Sequence, residues 1–308
     1  MILCCGEALI DMLPRESRDG EPSFAPYAGG AVFNSAIALG RLGIPVEFFS
    51  GLSSDLFGQQ IRDVLATSNV GSRYADVSAR PTTLAFVRLE NGHATYTFYD
   101  ENTAGRMLSE DDLPLLEDDI SAMLFGAISL IPEPSGSAYE ALMRREHDRR
   151  VTMLDPNIRP GFIPDKDKHM DRIRRMMAMA DIVKLSNEDL AWFGLDGSED
   201  DIAAAWLESG PKLILVTHGG DGAVGYTKRE KVQVEPKQVQ VVDTVGAGDT
   251  FNAGVLASLY DQNLLSKQAL ERLTPEAIRQ ALTLGSQAAA VTVSRAGANP
   301  PWRRELGN

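Results

Sequence analysis

Short apolar runs alternate with helical stretches along most of this chain, and that alternation constrains the fold more than any other feature of the sequence. The runs are hydrophobic without a polar residue at every second position, which is typical of strands covered on both faces. Strands that alternate with helices form a mainly parallel sheet. We therefore predict an α/β fold, with a doubly wound, mainly parallel sheet and helices on both faces. The predicted strands cover residues 1–5, 46–50, 123–130, 151–154, 182–185 and 213–217, and the predicted helices cover residues 31–42, 56–68, 137–149, 170–180 and 200–208.

One segment, "TTLAFVRLENGHATYTFYD", departs from this pattern. It places Asn91 and Gly92 between two runs that alternate apolar and polar residues, which is a strong signal for a β-hairpin. An antiparallel hairpin is an addition to a parallel sheet, and the polar stretch at residues 14–26 is expected to extend the same piece. A second hairpin is predicted over residues 222–234.

The composition limits the partners and the compartment of the protein. The chain has 308 residues and a 44% hydrophobic fraction, which suits one large α/β domain or two smaller ones. Its formal charge of −13 argues against nucleic acid and anionic membranes as partners. Cys4 and Cys5 are neighbours on a predicted strand and point to opposite faces, so we expect reduced thiols in a cytoplasmic protein. The N-terminus has no basic leader, and no apolar run reaches membrane-spanning length.

The stretch "VVDTVGAGDTFNAG", residues 241–254, places small residues directly before a predicted helix. Its β-branched start predicts a strand that ends near Asp243, and apolar residues at helical spacing predict a helix from Asp249. A helix N-terminus carries unpaired N–H groups and about half a positive charge, which together favour an anion. The small residues 246–248 let a phosphate approach that backbone closely.

Asp249 would repel such a phosphate, and its position makes sense when the phosphate is transferred and the carboxylate faces the acceptor hydroxyl. The helix end is expected to keep Asp249 ionised and only modestly basic. That is sufficient for phosphoryl transfer, because its transition state is loose and the hydroxyl proton leaves late. The alternative interpretation is a tight turn with an aspartate as N-cap. A Walker-type phosphate loop is excluded, and "GGDG" lacks the spacing of a dinucleotide fingerprint.

Polar residues and glycines gather where the predicted strands end, which is where ligands bind in such sheets. Asp11 and Asn34 are candidates to hold sugar hydroxyls, with Gly30 permitting a close backbone approach; alternatively, the first two are a loop aspartate and a solvated helix residue. Arg159 is a candidate phosphate clamp, although the Asp-Pro-Asn before it is also an ordinary turn. Asn187 is either a ligand or a helix N-cap.

Several motifs together resemble the ribokinase-like (PfkB) carbohydrate kinases. "DTVGAGDTFNAG" is similar to the C-terminal signature of that family, and "AGGAVFNSAIALGRLG" is similar to its N-terminal signature. Within the family, "GEALIDMLP", "TLAFV" and "FYDENTAGRML" look most like bacterial fructokinases. The resemblance covers nearly the whole chain. It implies one α/β kinase domain over residues 1–308, with a small β-sheet lid formed by insertions at about residues 12–27 and 82–100.

The resemblance also implies roles for individual residues in an ATP-dependent transfer to a sugar hydroxyl. Asp249 would be the base, and Arg159 would face the transferring phosphate. Lids in this family often pair, so a homodimer through the lid is expected, which also covers an exposed hairpin edge. The implied anion hole is Gly246, Ala247 and Gly248; the implied sugar-binding residues are Asp11, Gly29, Gly30, Asn34, Phe98 and Asp249; and the implied nucleotide-binding residues are Lys184, Asn187, Thr217, Gly219, Gly222 and Ser286.

Two departures from the family pattern concern metal ions. The N-x-x-E motif tied to magnesium has Leu190 at its glutamate position, which leaves Asn187 and Glu188 as the candidates that would serve Mg²⁺ through its water shell. A potassium site would use Asp243 and the Val245 carbonyl. The nearby loop reads "GANPP", with prolines where a serine is common. ATP and Mg²⁺ are thus the expected cofactors, with K⁺ as an additional candidate.

The leading hypothesis is a fructokinase that makes fructose 6-phosphate. The first alternative is a 2-keto-3-deoxygluconate kinase, whose acidic substrate needs a cation in the pocket. The predicted lid offers Asp100 and Glu101, with Arg88 and Arg106 nearby, so this test discriminates only weakly. The second alternative is a catalytically idle sugar or nucleotide sensor, which would have no use for a base at Asp249.

Overall fold

The computed structural model describes residues 1–90 and 93–307, and two sheets and a set of helices account for most of them. The strands are β1 Ile2–Cys5, β2 Leu9–Glu16, β3 Pro22–Gly29, β4 Val46–Phe49, β5 Gly51–Ser53, β6 Asp76–Ser78, β7 Leu84–Glu90, β8 His93–Tyr99, β9 Ala122–Gly126, β10 Val151–Asp155, β11 Ile182–Ser186, β12 Leu213–Thr217, β13 Ala223–Tyr226 and β14 Lys231–Val234. The helices are α1 Ala31–Arg41, α2 Leu56–Thr67, α3 Ser135–Glu146, α4 Lys166–Met179, α5 Asn187–Phe193, α6 Glu199–Ser209, α7 Ala247–Asp261, α8 Lys267–Leu270 and α9 Pro275–Val293.

The main sheet has eight strands in the order β14-β13-β12-β11-β10-β9-β1-β4. Strand β1 pairs in parallel with β4 on one side and with β9 on the other, so the chain order of the strands reverses between β1 and β9. Strands β13 and β14 form an antiparallel hairpin at one edge, which confirms the second predicted hairpin. Ligand sites in such sheets form beyond the carboxyl ends of the strands at the point of reversal.

Helices cover both faces of this sheet, which confirms the doubly wound α/β fold. Ile2 and Cys4 of β1 pack into one buried apolar cluster with residues of α1, α7 and α9. Leu3 and Cys5 pack into the other cluster with residues of α3, α4 and α6. The two cysteines therefore lie on opposite faces of the sheet, both buried and both free. Within residues 1–90 and 93–307, no helix is long and apolar enough to cross a membrane.

A separate four-stranded sheet has the order β3-β2-β7-β8. Strands β7 and β8 pair antiparallel with Leu84 opposite Tyr99, as expected for the first hairpin, whereas its predicted turn at Asn91 and Gly92 lies outside the described residues. Strand β2 joins the two hairpins by pairing antiparallel with β3 and in parallel with β7. The sheet lies apart from the parallel sheet, as the sequence pattern indicates. We call it the small sheet.

Two predicted strands differ from the structure. The strand predicted to end near Asp243 is wrong, because residues 235–243 form no strand and Val242 is 60% exposed. Its backbone follows the end of α9 instead, where the N–H groups of Val242 and Asp243 both donate to the carbonyl of Val293. The strand predicted over residues 123–130 ends at Gly126, since Ala127 has a positive φ of 60° and starts a 3-10 turn.

Candidate active site

Asp249 lies in the first turn of α7 and is buried against α1. Asn34 donates a hydrogen bond from Nδ2 to Oδ2 of Asp249 at 2.9 Å. The neighbouring Ser35 donates from its hydroxyl to the backbone carbonyl of Asp249 at 3.0 Å. Since α1 begins directly after β3, these two bonds connect the small sheet to the start of α7. The structure thus brings together Asn34 and Asp249, which the sequence analysis assigned to one site.

Burial raises the pKa of Asp249 to about 7. The hydrogen bond from Asn34 lowers this pKa, and the charges of Asp155, Lys184 and Glu7 act on it with mixed sign. The result differs from the expectation that the helix end leaves the carboxylate only modestly basic, because the cost of desolvation outweighs the helix dipole. A carboxyl group that titrates near neutral pH suits a general base.

The 246–248 loop presents backbone donors at the start of α7. Gly246 is the N-cap residue, with a left-handed φ of 79°, and a Cβ atom there would lie 2.8 Å from the Cβ of Ala298. Among the described residues, the N–H groups of Gly246 and Gly248 have no hydrogen-bond partner, and Ala247 makes only a 3.3 Å bond. These unpaired donors at a helix N-terminus can receive an anion.

Two candidate sugar-binding groups lie where the small sheet meets α1. The carboxylate of Asp11 on β2 covers Gly29, where a Cβ atom would come within 2.4 Å of Oδ2. Burial raises the pKa of Asp11 to about 6. At Gly30, φ is 118° and a Cβ atom would lie 2.7 Å from the carbonyl oxygen of Glu7. Neither position has room for a side chain, so the backbone at Gly29 and Gly30 approaches Asp11 and Glu7 closely.

Glu7 is a residue that the sequence analysis did not assign to the site. Its Oε1 accepts from the N–H of Ala31 at 2.7 Å, and its Oε2 accepts from the N–H of Ser129 at 3.2 Å. It therefore ties α1 to the segment after β9, across the point where strand order reverses. Burial raises the pKa of Glu7 to about 7. Its position directly after the first buried strand was the available signal.

A cavity of about 600 Å³ separates the small sheet from the body of the protein. Phe98 on β8 lines this cavity and packs edge-on against Phe162, with ring centroids 4.7 Å apart. Arg106 also lines it and makes a bidentate pair with Asp100, at 2.9 and 3.0 Å. Asp249 is not a lining residue of this cavity, but Glu7 is, so the cavity borders the carboxyl end of β1 beside the candidate site.

The candidate nucleotide-binding residues lie at the ends of β11 and β12, which are neighbours in the sheet. Thr217 ends β12, and Gly219 and Gly222 shape the turn that follows it. A Cβ atom at Gly222 would lie 2.2 Å from the carbonyl oxygen of Val234, whereas Gly219 has open space around it. Ser286 lies on α9, which packs on β13 and β14.

Lys184 is the exception within this nucleotide set. It lies on β11 and is only 4% exposed, so it is covered rather than open to a ligand. Its Nζ donates to Oδ2 of Asp155 at 3.1 Å, and the same oxygen accepts from Nδ2 of Asn252 at 2.6 Å. Neither Asp155 nor Asn252 was predicted from the sequence to have a role in the site. Asn252 follows Asp249 by three positions on α7, which was a signal that they share a helix face.

The candidate metal-binding residues lie in two places, the start of α5 and the segment before α7. Asn187 and Glu188 begin α5 and are both exposed. Asp243 is engaged with the backbone, since its Oδ1 accepts from the N–H of Val245 at 3.0 Å and its Oδ2 accepts from that of Gly297 at 2.8 Å. Over the described ranges, no group of three or more His, Cys, Asp or Glu side chains is arranged to hold a metal ion.

Asp189 and Arg159 are linked through one short segment. Asp189 is buried, and its Oδ1 accepts from the N–H of Ile158 at 2.7 Å while its Oδ2 accepts from that of Ser186 at 2.8 Å. Arg159 is exposed, and its Nη1 donates to the carbonyl oxygen of Ile158 at 2.9 Å. Asp189 therefore fixes the segment that presents Arg159. The capping-box spacing of Ser186 and Asp189 was the signal in the sequence.

Comparison with known protein families identifies the family of this chain. Residues 1–304 match the model of the pfkB family carbohydrate kinases. The chain belongs to the pfkB family. It is a carbohydrate kinase.

Relatives of this pfkB protein include several fructokinases. A fructokinase of Rhizobium leguminosarum bv. trifolii is 60% identical over 279 residues, which are 91% of this chain and 86% of that protein. A probable fructokinase-4 of Arabidopsis thaliana is 35% identical over 97% of this chain and 93% of that protein. The crystal structure of a Xylella fastidiosa fructokinase with bound ATP has a TM-score of 0.89 and 29% identity, with 99% of this chain and 97% of that chain covered.

A second similar solved structure is also a fructokinase with bound ligands. The Vibrio cholerae O395 fructokinase in its fructose-, ADP- and calcium-bound form has a TM-score of 0.82 and 25% identity, with 96% of this chain and 94% of that chain covered. These similarities confirm the ribokinase-like fold and the family resemblance that the motifs indicate.

Proposed function

We propose that this pfkB protein transfers the γ-phosphate of ATP to a hydroxyl of D-fructose and forms fructose 6-phosphate. The 60% identity to a bacterial fructokinase supports the substrate. The observation that carries the chemistry is Asp249, a buried carboxylate placed directly beside unpaired backbone donors at a helix N-terminus. A binding protein gains nothing from that pair of features, whereas a phosphoryl transfer needs both.

In this mechanism, Asp249 accepts the proton of the attacking hydroxyl. Asn34 fixes the orientation of the carboxylate through its hydrogen bond to Oδ2. The N–H groups of the 246–248 loop stabilise the charge on the transferring phosphoryl group, and the exposed guanidinium of Arg159 adds positive charge near it. Positioning and charge stabilisation account for most of the catalysis in such a loose transition state.

The sugar is expected to bind between the small sheet and α1. Asp11 and Asn34 are placed to hold hydroxyl groups, and the close packing at Gly29 and Gly30 shapes the floor of the site. Phe98 covers the sugar from the small sheet and excludes water. In this proposal residues 1–308 are one kinase domain, and the segments at about 12–27 and 82–100 act as its lid.

A magnesium ion bound with ATP would neutralise negative charge on the phosphate groups. The residues at the start of α5 fit this group, because Glu188 is exposed and has no ion-pair partner among the described residues. Asn187 and Glu188 would reach its water shell. For potassium, the Asp243 carboxylate keeps free lone pairs beyond its two N–H bonds, and the Val245 carbonyl would complete the pair.

Electrostatics favour a neutral sugar over a sugar acid. The cation that would face a carboxylate substrate, Arg106, is already neutralised by its bidentate pair with Asp100. The carboxyls of Glu7, Asp11 and Asp249 lie around the proposed sugar position. Two further cations that line the cavity, Lys168 and Arg172, both pair with Glu133. Because these cations are already paired with carboxylates, the charge distribution supports fructose over 2-keto-3-deoxygluconate as the acceptor.

A substrate panel tests the proposed function. The protein is assayed for ATP-dependent phosphate transfer to fructose, 2-keto-3-deoxygluconate, ribose and adenosine in the presence of Mg²⁺, and the product is identified by ³¹P NMR. We expect turnover with fructose and a phosphate on the 6-hydroxyl. Binding of one sugar without transfer to any acceptor supports the sensor hypothesis, and preferred turnover of the sugar acid supports the alternative kinase.

The outer face of the small sheet supports a homodimer. Phe86 packs edge-on against Phe24 at 5.0 Å and against Tyr99 at 5.4 Å, which forms an aromatic row. Phe24 is 48% exposed and Tyr99 is 60% exposed, so the row is open on its outer side. A contiguous exposed apolar patch of this kind is typical of an interface. In the proposal, two lids pair through this row.

A further inference from the structure

A buried ion pair lies directly behind the candidate anion hole. Lys184 is 4% exposed and Asp155 is 4% exposed, and Nζ of the lysine is 3.1 Å from Oδ2 of the aspartate. Two buried charges are costly unless they are paired and hydrogen-bonded, and buried pairs often contribute little net stability. Such a pair beside a reactive carboxylate therefore calls for a functional explanation.

The pair has a defined orientation relative to the 246–248 loop. A Cβ atom placed on Gly248 would lie 3.1 Å from Nζ of Lys184. Apart from its chain neighbours and the backbone of its own helix, no other heavy atom of the described residues comes within 4 Å of that position. The ammonium group thus faces the underside of the loop, and the carboxylate of Asp155 lies behind it. The positive end of this pair adds to the positive end of α7 at the same place.

Asn252 holds the carboxylate of Asp155 in this orientation. Asn252 donates from Nδ2 to the same oxygen of Asp155 that accepts from Lys184, at 2.6 Å. Burial lowers the pKa of Lys184, but the charges of Asp155 and Asp189 raise it above its usual value, so the ammonium form is retained. Lysine carries three N–H donors, and within the described residues only one of them has a hydrogen-bond partner.

We propose that Lys184 is a positioning residue that touches neither sugar nor nucleotide: its ammonium strengthens the anion hole from behind the 246–248 loop, and Asp155, fixed by Asn252, holds it there. This inference rests on the proposed kinase function and replaces the direct nucleotide contact expected for Lys184 from the family resemblance. The pair also sets the proton affinity of Asp249, because the two charges act on that carboxyl in opposite directions.

The test uses two single variants with opposite expected effects. The titration of Asp249 is followed in the whole protein without substrate by ¹³C NMR of labelled aspartate carboxyls, with Asp249→Asn to assign the signal. The other groups facing Asp249 are Glu7 and the Asn34 amide, and both stay unchanged. Lys184→Met should move the titration to higher pH and Asp155→Asn to lower pH, each by about one pH unit.

The double variant Asp155→Asn/Lys184→Met keeps the test decisive when a single variant does not fold. It removes both buried charges, so we expect a folded protein whose Asp249 titrates near the wild-type pH. Its kcat for phosphate transfer to fructose should fall about tenfold, because the charge behind the loop is gone. A merely structural pair predicts full turnover in the double variant and no opposite movement in the single ones; either result overturns the proposal.

Lys267→Met is the matched control. Lys267 on α8 pairs at 2.6 Å with Asp181, which directly precedes β11, so it resembles Lys184 in partner type but lies at the amino end of that strand, away from the 246–248 loop. In the Lys267→Met variant, the pH at which Asp249 titrates and the turnover should both match the wild type. Because the NMR titration needs no turnover, absence of fructose phosphorylation by the wild type would refute the proposed function while leaving the titration arm of this inference measurable.

Discussion

At the scale of single residues, the chemistry of Asp249 is decided by a competition between burial and the helix end. A helix N-terminus contributes about 0.3–1 kcal/mol in favour of a nearby anion, which is less than one pKa unit. Burial of a carboxyl group can raise its pKa by about 3–5 units. The larger effect prevails, and the pKa of Asp249 rises to about 7. Side-chain burial, and not the motif around it, gives Asp249 the raised pKa that the proposed base needs.

Removal of this base tests its role. We expect Asp249→Asn to lower kcat about 10²–10⁴-fold while the KM for fructose stays within a few-fold, since the amide keeps the shape but cannot accept the proton. Steady-state kinetics measure both. Asp261→Asn, at the far end of the same helix, is the control and should keep full turnover. Near-full turnover of Asp249→Asn would remove Asp249 from the mechanism.

The same substitution should stabilise the fold at alkaline pH. A carboxyl whose pKa is raised from 3.8 to about 7 adds stability in its protonated form, and this contribution is lost as pH rises through that window. The neutral amide avoids the cost. We expect Asp249→Asn to raise the free energy of unfolding at pH 8 by on the order of 1–4 kcal/mol, measured by urea denaturation. At pH 4 the difference should largely disappear, and an equal difference at both pH values contradicts the burial argument.

The activity should follow the protonation of Asp249. Because the base must be ionised, kcat/KM for fructose should fall about tenfold per pH unit below a midpoint near 7, given that burial raises the pKa of Asp249 to about 7. A pH–rate profile measured between pH 5 and pH 9 with saturating ATP checks this. A flat profile down to pH 5 would show that the base titrates at its ordinary value.

At the scale of elements, the start of α7 depends on one residue that only glycine suits. Gly246 has a φ of 79°, and an added Cβ would lie 2.8 Å from that of Ala298. Gly43, after α1, has a φ of 78° and nothing within 4 Å of its added Cβ. The two glycines share the backbone conformation and differ in their surroundings. Substituting each of them by alanine therefore separates the effect of backbone strain on stability from the effect of a displaced anion hole on turnover.

We expect Gly43→Ala and Gly246→Ala each to lose about 1–2 kcal/mol of stability from backbone strain, and Gly246→Ala to lose more because of its clash. Only Gly246→Ala should also lose turnover, by about 10²-fold, since the donors of the 246–248 loop move. Thermal unfolding and kcat measure the two effects. Equal turnover in both variants would argue against a role for the loop in transfer.

The small sheet contacts the body of the protein through an aromatic contact that local sequence does not reveal. Phe162 receives the edge of Phe98 at 4.7 Å and lies 6.5 Å from Tyr96. We expect Phe162→Ala to raise the KM for fructose about three- to tenfold, because the small sheet, the proposed lid, loses one of its aromatic contacts with the body of the protein. The KM for ATP is the internal control and should not change. An unchanged KM for fructose would mean that this contact does not close the site.

At the scale of the whole molecule, the exposed aromatic row on the small sheet leads us to expect a homodimer. Light scattering should give twice the 33.4 kDa mass of the chain for the wild type. Tyr99→Lys places a charge in the aromatic row and should give the monomer mass, because burying an unpaired ammonium group is costly. Leu115→Lys is the control, since Leu115 is 90% exposed and lies outside the small sheet. A wild-type monomer would contradict the proposed lid-to-lid dimer.

Much of the site could be predicted because its parts are coded locally. Each parallel strand is indicated by an unbroken apolar run. The residues that follow these strands lie at one edge of the sheet, as Asn187 after β11 and Gly219 after β12 do. The features that were not predicted correctly from the sequence share a different cause. Glu7, Asp155 and Asn252 act through partners far away in the chain, and the exposed residues Val241 and Val242 have strand-like side chains but no strand beside them.

The amino-acid sequence by itself determined the doubly wound fold, the hairpin outside the main sheet and the motif around Asp249, because these follow from the spacing of apolar residues and from glycines within a few positions. Only the tertiary structure decided how basic Asp249 is and what lies behind it. Asn34 and Asp249 are 215 positions apart, yet they share a hydrogen bond. Desolvation and charge–charge interactions depend on such distant neighbours, and those neighbours meet only when the chain has folded.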